Sequence, residues 1–97
     1  MKEEEILKAE QCSLAKLLYL HGFRYIARDE ANGLFAYVNK PTKHTKPDIY
    51  WHASGKFCCL NDYYFPNIKP EQEYPTEIHK NGNVRLARNR KAKVVTL

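Results

Sequence analysis

Ninety-seven residues, of which 43% are hydrophobic, 12% aromatic and 28% charged, suffice for one folded domain with a modest core and are too few for a two-domain enzyme. The formal charge of +5 is uneven: ten Lys and Arg stand against eleven Asp and Glu up to His79, and six basic residues with no acid follow from Lys80 onward. The composition excludes a disordered chain, and no apolar run approaches the roughly twenty residues that a membrane-spanning helix needs.

Residues 3–21 read as an amphipathic helix, with Leu7, Cys12, Leu14, Leu17, Leu18 and Ile6 near helical spacing. Glu3, Glu4 and Glu5 suit its positive end, Lys16 and His21 its negative end, and Gly22 is a natural C′ residue. The alternative is a shorter helix capped by Ser13 behind a frayed first dozen residues.

From Phe23 to Pro41, two runs rich in aromatic and β-branched residues flank Asn32-Gly33 and predict a β-hairpin. A three-residue loop, Ala31-Asn32-Gly33 with a left-handed Gly33, sets Ile26 against Val38 and Ala27 against Tyr37. It places Phe23, Tyr25, Ala27, Phe35 and Tyr37 on one side and Arg24, Ile26, Arg28, Ala36 and Val38 on the other. Burial of the aromatic side selects this register over a one-residue slip.

The following TKHTKPD reads as an exposed polar connection. Ile49–His52 and Phe57–Leu60 predict a second hairpin pairing Trp51 with Cys58 and Ile49 with Leu60. Residues 61–75, with three prolines and Tyr63-Tyr64-Phe65, read as an extended loop anchored by its rings. Thr76–Ile78 and Val84–Leu86 predict a third hairpin through Lys80-Asn81-Gly82, opposing Ile78 to Val84 and Glu77 to Arg85. The expected fold is α+β: an N-terminal amphipathic helix packed on a small antiparallel sheet of β-hairpins over residues 1–86. A basic C-terminal tail, partly disordered, follows over 87–97.

Cys12, Cys58 and Cys59 are odd in number and lack CxxC spacing, which with no leader segment points to a reducing, cytoplasmic setting. Cys58 and Cys59, as strand neighbours, point to opposite faces and are not expected to bond to each other. Zinc ligation by Cys58, Cys59, His44 and His52 is disfavoured by the same divergence; small core thiols and surface histidines explain them better. No motif joins a nucleophile to a base, and Asp29, Glu30, Asp48 and Asp62 are explained by turns, so no catalytic residue and no cofactor are expected.

Binding residues are easier to nominate. Lys80, Arg85, Arg88, Arg90, Lys91 and Lys93 form a positive segment able to meet phosphates or an acidic partner. Twelve aromatic side chains exceed what so small a domain buries, and Tyr50, Tyr63 and Tyr64, with Arg24 and Arg28, are candidates for a protein interface. The bland reading of these tyrosines is a buried ring with a wet hydroxyl.

The series YIARD, Gly33 and NKP, followed by a tryptophan and FPNIKPEQEYPTEI, resembles small uncharacterised proteins of phages and prophages in Gram-positive bacteria, over roughly residues 16–79. The basic tail departs from that pattern. The resemblance implies an accessory protein acting in the cytoplasm of an infected bacterium. Its expected role is non-enzymatic: inhibition of a host defence complex, such as a CRISPR nuclease, by occupying a protein or guide-RNA surface. The partner is then a host protein or ribonucleoprotein rather than a membrane or a small-molecule substrate. The alternative is a nucleic-acid-binding accessory protein that uses the basic C-terminal segment.

Overall fold

In the computed structural model, which describes residues 3–86, the N-terminal segment is one helix, α1, over Glu3–Leu20. It is the longer of the two helices expected. Its end is a Schellman motif: the Gly22 amide donates to the Tyr19 carbonyl at 3.0 Å and the Phe23 amide to the Leu18 carbonyl at 2.9 Å. Ala15 and Leu18 are buried, with Leu14 and Tyr19 packed beside them. Leu17, expected among the apolar positions, is 55% exposed because it lies on the opposite side of the helix from Ala15 and Leu18.

Seven strands follow: β1 Tyr25–Asp29, β2 Gly33–Tyr37, β3 Thr42–His44, β4 Tyr50–His52, β5 Phe57–Leu60, β6 Thr76–Ile78 and β7 Val84–Leu86. Five make an antiparallel sheet in the order β5-β2-β1-β6-β7, and β3 and β4 form a separate two-stranded ribbon. The helix packs on one face of the sheet and the ribbon covers part of the other. Among the described residues no helix is long and apolar enough to cross a membrane.

The first hairpin forms, in a register two residues from the expected one. Tyr25 pairs with Tyr37, Ala27 with Phe35 and Asp29 with Gly33, so the loop is Glu30-Ala31-Asn32. Glu30 is claimed by the ribbon: its amide donates to the Ile49 carbonyl at 2.8 Å, and its carboxylate accepts from the Ile49 amide at 3.0 Å. An even shift preserves the faces of a strand, so Tyr25, Ala27, Phe35 and Tyr37 still share one side. Gly33 takes φ +98°, and a Cβ there would lie 2.6 Å from Asp62 Oδ1. Phe23 leaves the aromatic side; the helix cap turns it into the core beneath α1.

The second predicted hairpin does not exist. β4 pairs with β3, matching Trp51 to Lys43, and β5 pairs with β2, matching Cys59 to Phe35. The segment expected to be a polar connection therefore contributes a strand, Thr42–His44. The physical reason is Asp29, whose carboxylate accepts from the Trp51 amide at 2.8 Å and holds β4 over the outer face of β1. β5 is then free to close the sheet edge, with Cys58 and Leu60 turned toward the helix-side core. The third hairpin forms as expected, with Ile78 opposite Val84 and Glu77 opposite Arg85. Its Gly82, at φ +90°, lies so near α1 that a Cβ would come within 2.7 Å of Cys12 Sγ.

The helix-side core contains Ala15, Leu18, Phe23, Ile26, Leu34, Ala36, Phe65, Ile68 and Ile78. Ile26 and Leu34 are fully enclosed, a burial that stabilises the fold by about 1.5–3 kcal/mol each. Residues 61–75 form an irregular loop, as expected. Arg28 secures it by donating from Nε to the Ile68 carbonyl at 2.8 Å and from Nη2 to those of Tyr64 and Phe65 at 2.9 and 3.1 Å.

Candidate functional site

Strand alternation sends Tyr25, Ala27 and Asp29 of β1 and Phe35 and Tyr37 of β2 to the face away from the helix. The pairs Tyr37–Phe57 and Phe35–Cys59 carry the outward side chains of β5 onto the same face. The rings of Phe35, Tyr37 and Phe57 form a triangle, with centroids 6.5 Å apart for Phe35–Tyr37, 6.1 Å for Phe35–Phe57 and 6.4 Å for Tyr37–Phe57. Trp51, only 6% exposed, packs with Ala27 and Tyr37 from the ribbon above. Together Asp29, Phe35, Tyr37, Trp51, Ala53 and Phe57 line a cavity of about 90 Å³. Phe57, at 53% exposure, is its open wall.

The polar groups of this cavity are incompletely matched. Asp29 is 7% exposed; its one side-chain hydrogen bond comes from the Trp51 amide, and no cation among the described residues pairs with it. Buried carboxylates are ordinarily paired, because an unpaired one loses its hydration without return. The indole Nε1 of Trp51 is buried and has no acceptor among the described residues. Burial, then the charge of Asp29, holds the Tyr37 hydroxyl well above the ordinary phenol range. Lys43 stands nearby, with Nζ 5.8 Å from the centre of a Trp51 ring, and donates to the carbonyls of Glu71 and Gln72 at 3.1 and 2.8 Å.

Beside the cavity, β5 is an edge strand with no partner on its outer side among the described residues. Such an edge presents unpaired amides and carbonyls that another extended chain can meet. Cys59 is exposed there, and burial pushes the thiol of its half-buried neighbour Cys58 up, which makes Cys58 a poorer thiolate.

The residues nominated from sequence are dispersed. Arg24 is engaged within the chain, its Nη1 donating to the carbonyls of Tyr19 and Phe23 at 2.8 and 3.0 Å while the guanidinium lies 3.7 Å over the Tyr19 ring. Arg28 is the tether of the 61–75 loop. Tyr50 is half-buried and stacked on His44, with centroids 4.8 Å apart. Tyr63 is 52% exposed and its hydroxyl donates to Glu10 Oε1 at 3.1 Å; Tyr64 packs edge-on against it. Lys80 is exposed in the turn between β6 and β7, and Arg85 lies on β7. Arg88, Arg90, Lys91 and Lys93 fall outside the described residues.

The four zinc candidates separate as well, with the histidines on the ribbon and the cysteines on the sheet edge. Among the described residues no group of three or more His, Cys, Asp or Glu is placed to hold a metal ion. Asp29 is the residue that sequence reasoning passed over. A carboxylate beside an Asn-Gly pair is explained by the turn, and nothing local indicates that its partner is an amide 22 positions away.

Comparison with models of known families, with curated proteins and with solved structures returned no match to the chain, so what it does must be read from its own side chains.

Proposed function

We propose that the protein is a non-enzymatic binding protein whose partner docks along the β5 edge and the aromatic pocket beside it. The observation that carries this reading is the exposed Phe57: a large ring half in water, on an unpaired strand edge, leaning on Phe35 and Tyr37. An extended segment added to this edge gains main-chain hydrogen bonds along β5 and places alternate side chains against the pocket. The partner is a bacterial host protein or ribonucleoprotein, and the resemblance to phage and prophage proteins makes a defence complex, including a CRISPR nuclease, the proposed target.

Capture from a bacterial lysate tests this when performed with the wild-type chain, a Phe57→Asp variant and a chain lacking residues 87–97. The docking reading expects Phe57→Asp to lose a captured protein that the truncated chain retains, with nuclease treatment making no difference. A partner indifferent to Phe57→Asp and lost on truncation overturns it. That outcome supports the second reading, in which the acid-free run beginning at the exposed Lys80 meets phosphates and binding weakens steeply with salt.

A further inference from the structure

We propose that the pocket walled by Phe35, Tyr37, Trp51 and Phe57 takes a quaternary ammonium group, with Asp29 as its counter-charge; this rests on the binding reading and names the chemistry the site recognises. Three independent features converge on it. The first is size: a cavity of about 90 Å³ admits one small group and no extended ligand. The second is the ring triangle. Their centroids lie 6.1 to 6.5 Å apart, and a cation over the face of any of these rings, within ~6 Å of its centroid, is attracted by the ring quadrupole. The third is charge: the one carboxylate on the pocket wall is buried and has no cation paired with it among the described residues.

A methylated ammonium fits this combination better than a bare one. Its methyl groups bury against the rings at little desolvation cost, and it has no N–H that would need acceptors the aromatic walls lack. Lys43, with its ammonium 5.8 Å from the centre of a Trp51 ring, donates to two loop carbonyls rather than to Asp29. Two sources present the same chemistry, a small free cation and a trimethylated lysine on a partner segment docked at β5.

The chain has one tryptophan, so the emission of Trp51 reports directly on the pocket. The full-length protein is titrated with choline, with its neutral isostere 3,3-dimethylbutan-1-ol, and with an extended peptide carrying either trimethyllysine or lysine. The expected result is a saturable change with choline and with the trimethyllysine peptide, about tenfold weaker for the isostere and for unmodified lysine. Asp29→Asn and Phe57→Ala each weaken choline binding by about tenfold; Phe57→Ala alters an exposed side chain and so provides a folded variant if Asp29→Asn does not. Tighter binding of the peptide than of choline assigns the source to a partner side chain, and the reverse assigns it to a free cation. Equal binding of the neutral isostere, or no saturable change with either cation, overturns the proposal. A lysate capture that still depends on Phe57 would then leave the docking reading standing by itself.

Discussion

The two faces of the central sheet are built from alternate residues of the same two strands, and they are finished in different ways. Beneath α1, Ile26, Leu34 and Ala36 are each fully enclosed and meet Phe23, Phe65, Ile68 and Ile78 in one continuous cluster. Beneath the ribbon, Ala27, Tyr37 and Trp51 make a smaller cluster, bordered by a cavity, a carboxylate whose hydrogen bond comes from the Trp51 amide and an indole N–H without an acceptor among the described residues. A buried polar group without a partner loses hydration without return, so the indole N–H departs from the matched packing of the opposite face. The contrast places the continuous core on the helix side and a smaller, less completely matched cluster on the ribbon side.

The largest effect that tests this division is on the helix side. Ile26→Ala should lose about 2–5 kcal/mol, read from the midpoint of denaturant unfolding at constant slope. A loss below about 1 kcal/mol would mean that the helix face is not the main core and would break the contrast.

Arg28→Met comes next. It keeps the aliphatic stem and removes the donors that hold the loop carbonyls, with an expected loss of about 1.5–3 kcal/mol. The loop should also open locally, so amide exchange at Ile68, whose N–H donates to the Phe65 carbonyl, should quicken while β1 and β2 remain protected.

The smallest effect belongs to the ribbon side and is a matter of pH. Tyr37 keeps its proton in the folded chain above the ordinary phenol value of about 10, whereas the unfolded chain releases it there. Its contribution is therefore fully present below about pH 10 and is lost as the pH rises toward the folded value. In a spectrophotometric alkaline titration, one of the seven tyrosines should stay protonated until the chain unfolds, and Tyr37→Phe should remove that late step. Ionisation of all seven near the ordinary value would show that the pocket is wet.

Much of this architecture was legible because local signals carried it. Gly22 after a leucine-rich helix, Gly33 after Asn32 and Gly82 after Asn81 mark three chain reversals, and all three occur where they point. The face on which each β1 and β2 side chain lies followed from alternation, even though the register differed by two residues. What could not be read was long-range. β4 and β5 are neighbours in sequence with matching apolar alternation, so a hairpin between them satisfies every local rule. The choice is made by Asp29 and Glu30, which bind backbone at Trp51 and Ile49 and carry β4 into another layer. The pocket was hidden for the same reason, since its walls come from three strands whose pairing depends on that choice. The tyrosines and arginines were chosen on residue type, which does not reveal that Arg24 and Arg28 are occupied by carbonyls of their own chain.

The Arg28 fork reads main chain only, and its acceptors lie 34 to 40 positions away in a loop with no ladder of its own. Identity at the outward positions Pro66 and Asn67 is thus uncoupled from the tether that fixes the loop's path. Substitutions there can accumulate without dislodging the scaffold, which makes this loop the part of the molecule best able to diverge while its surroundings stay constant.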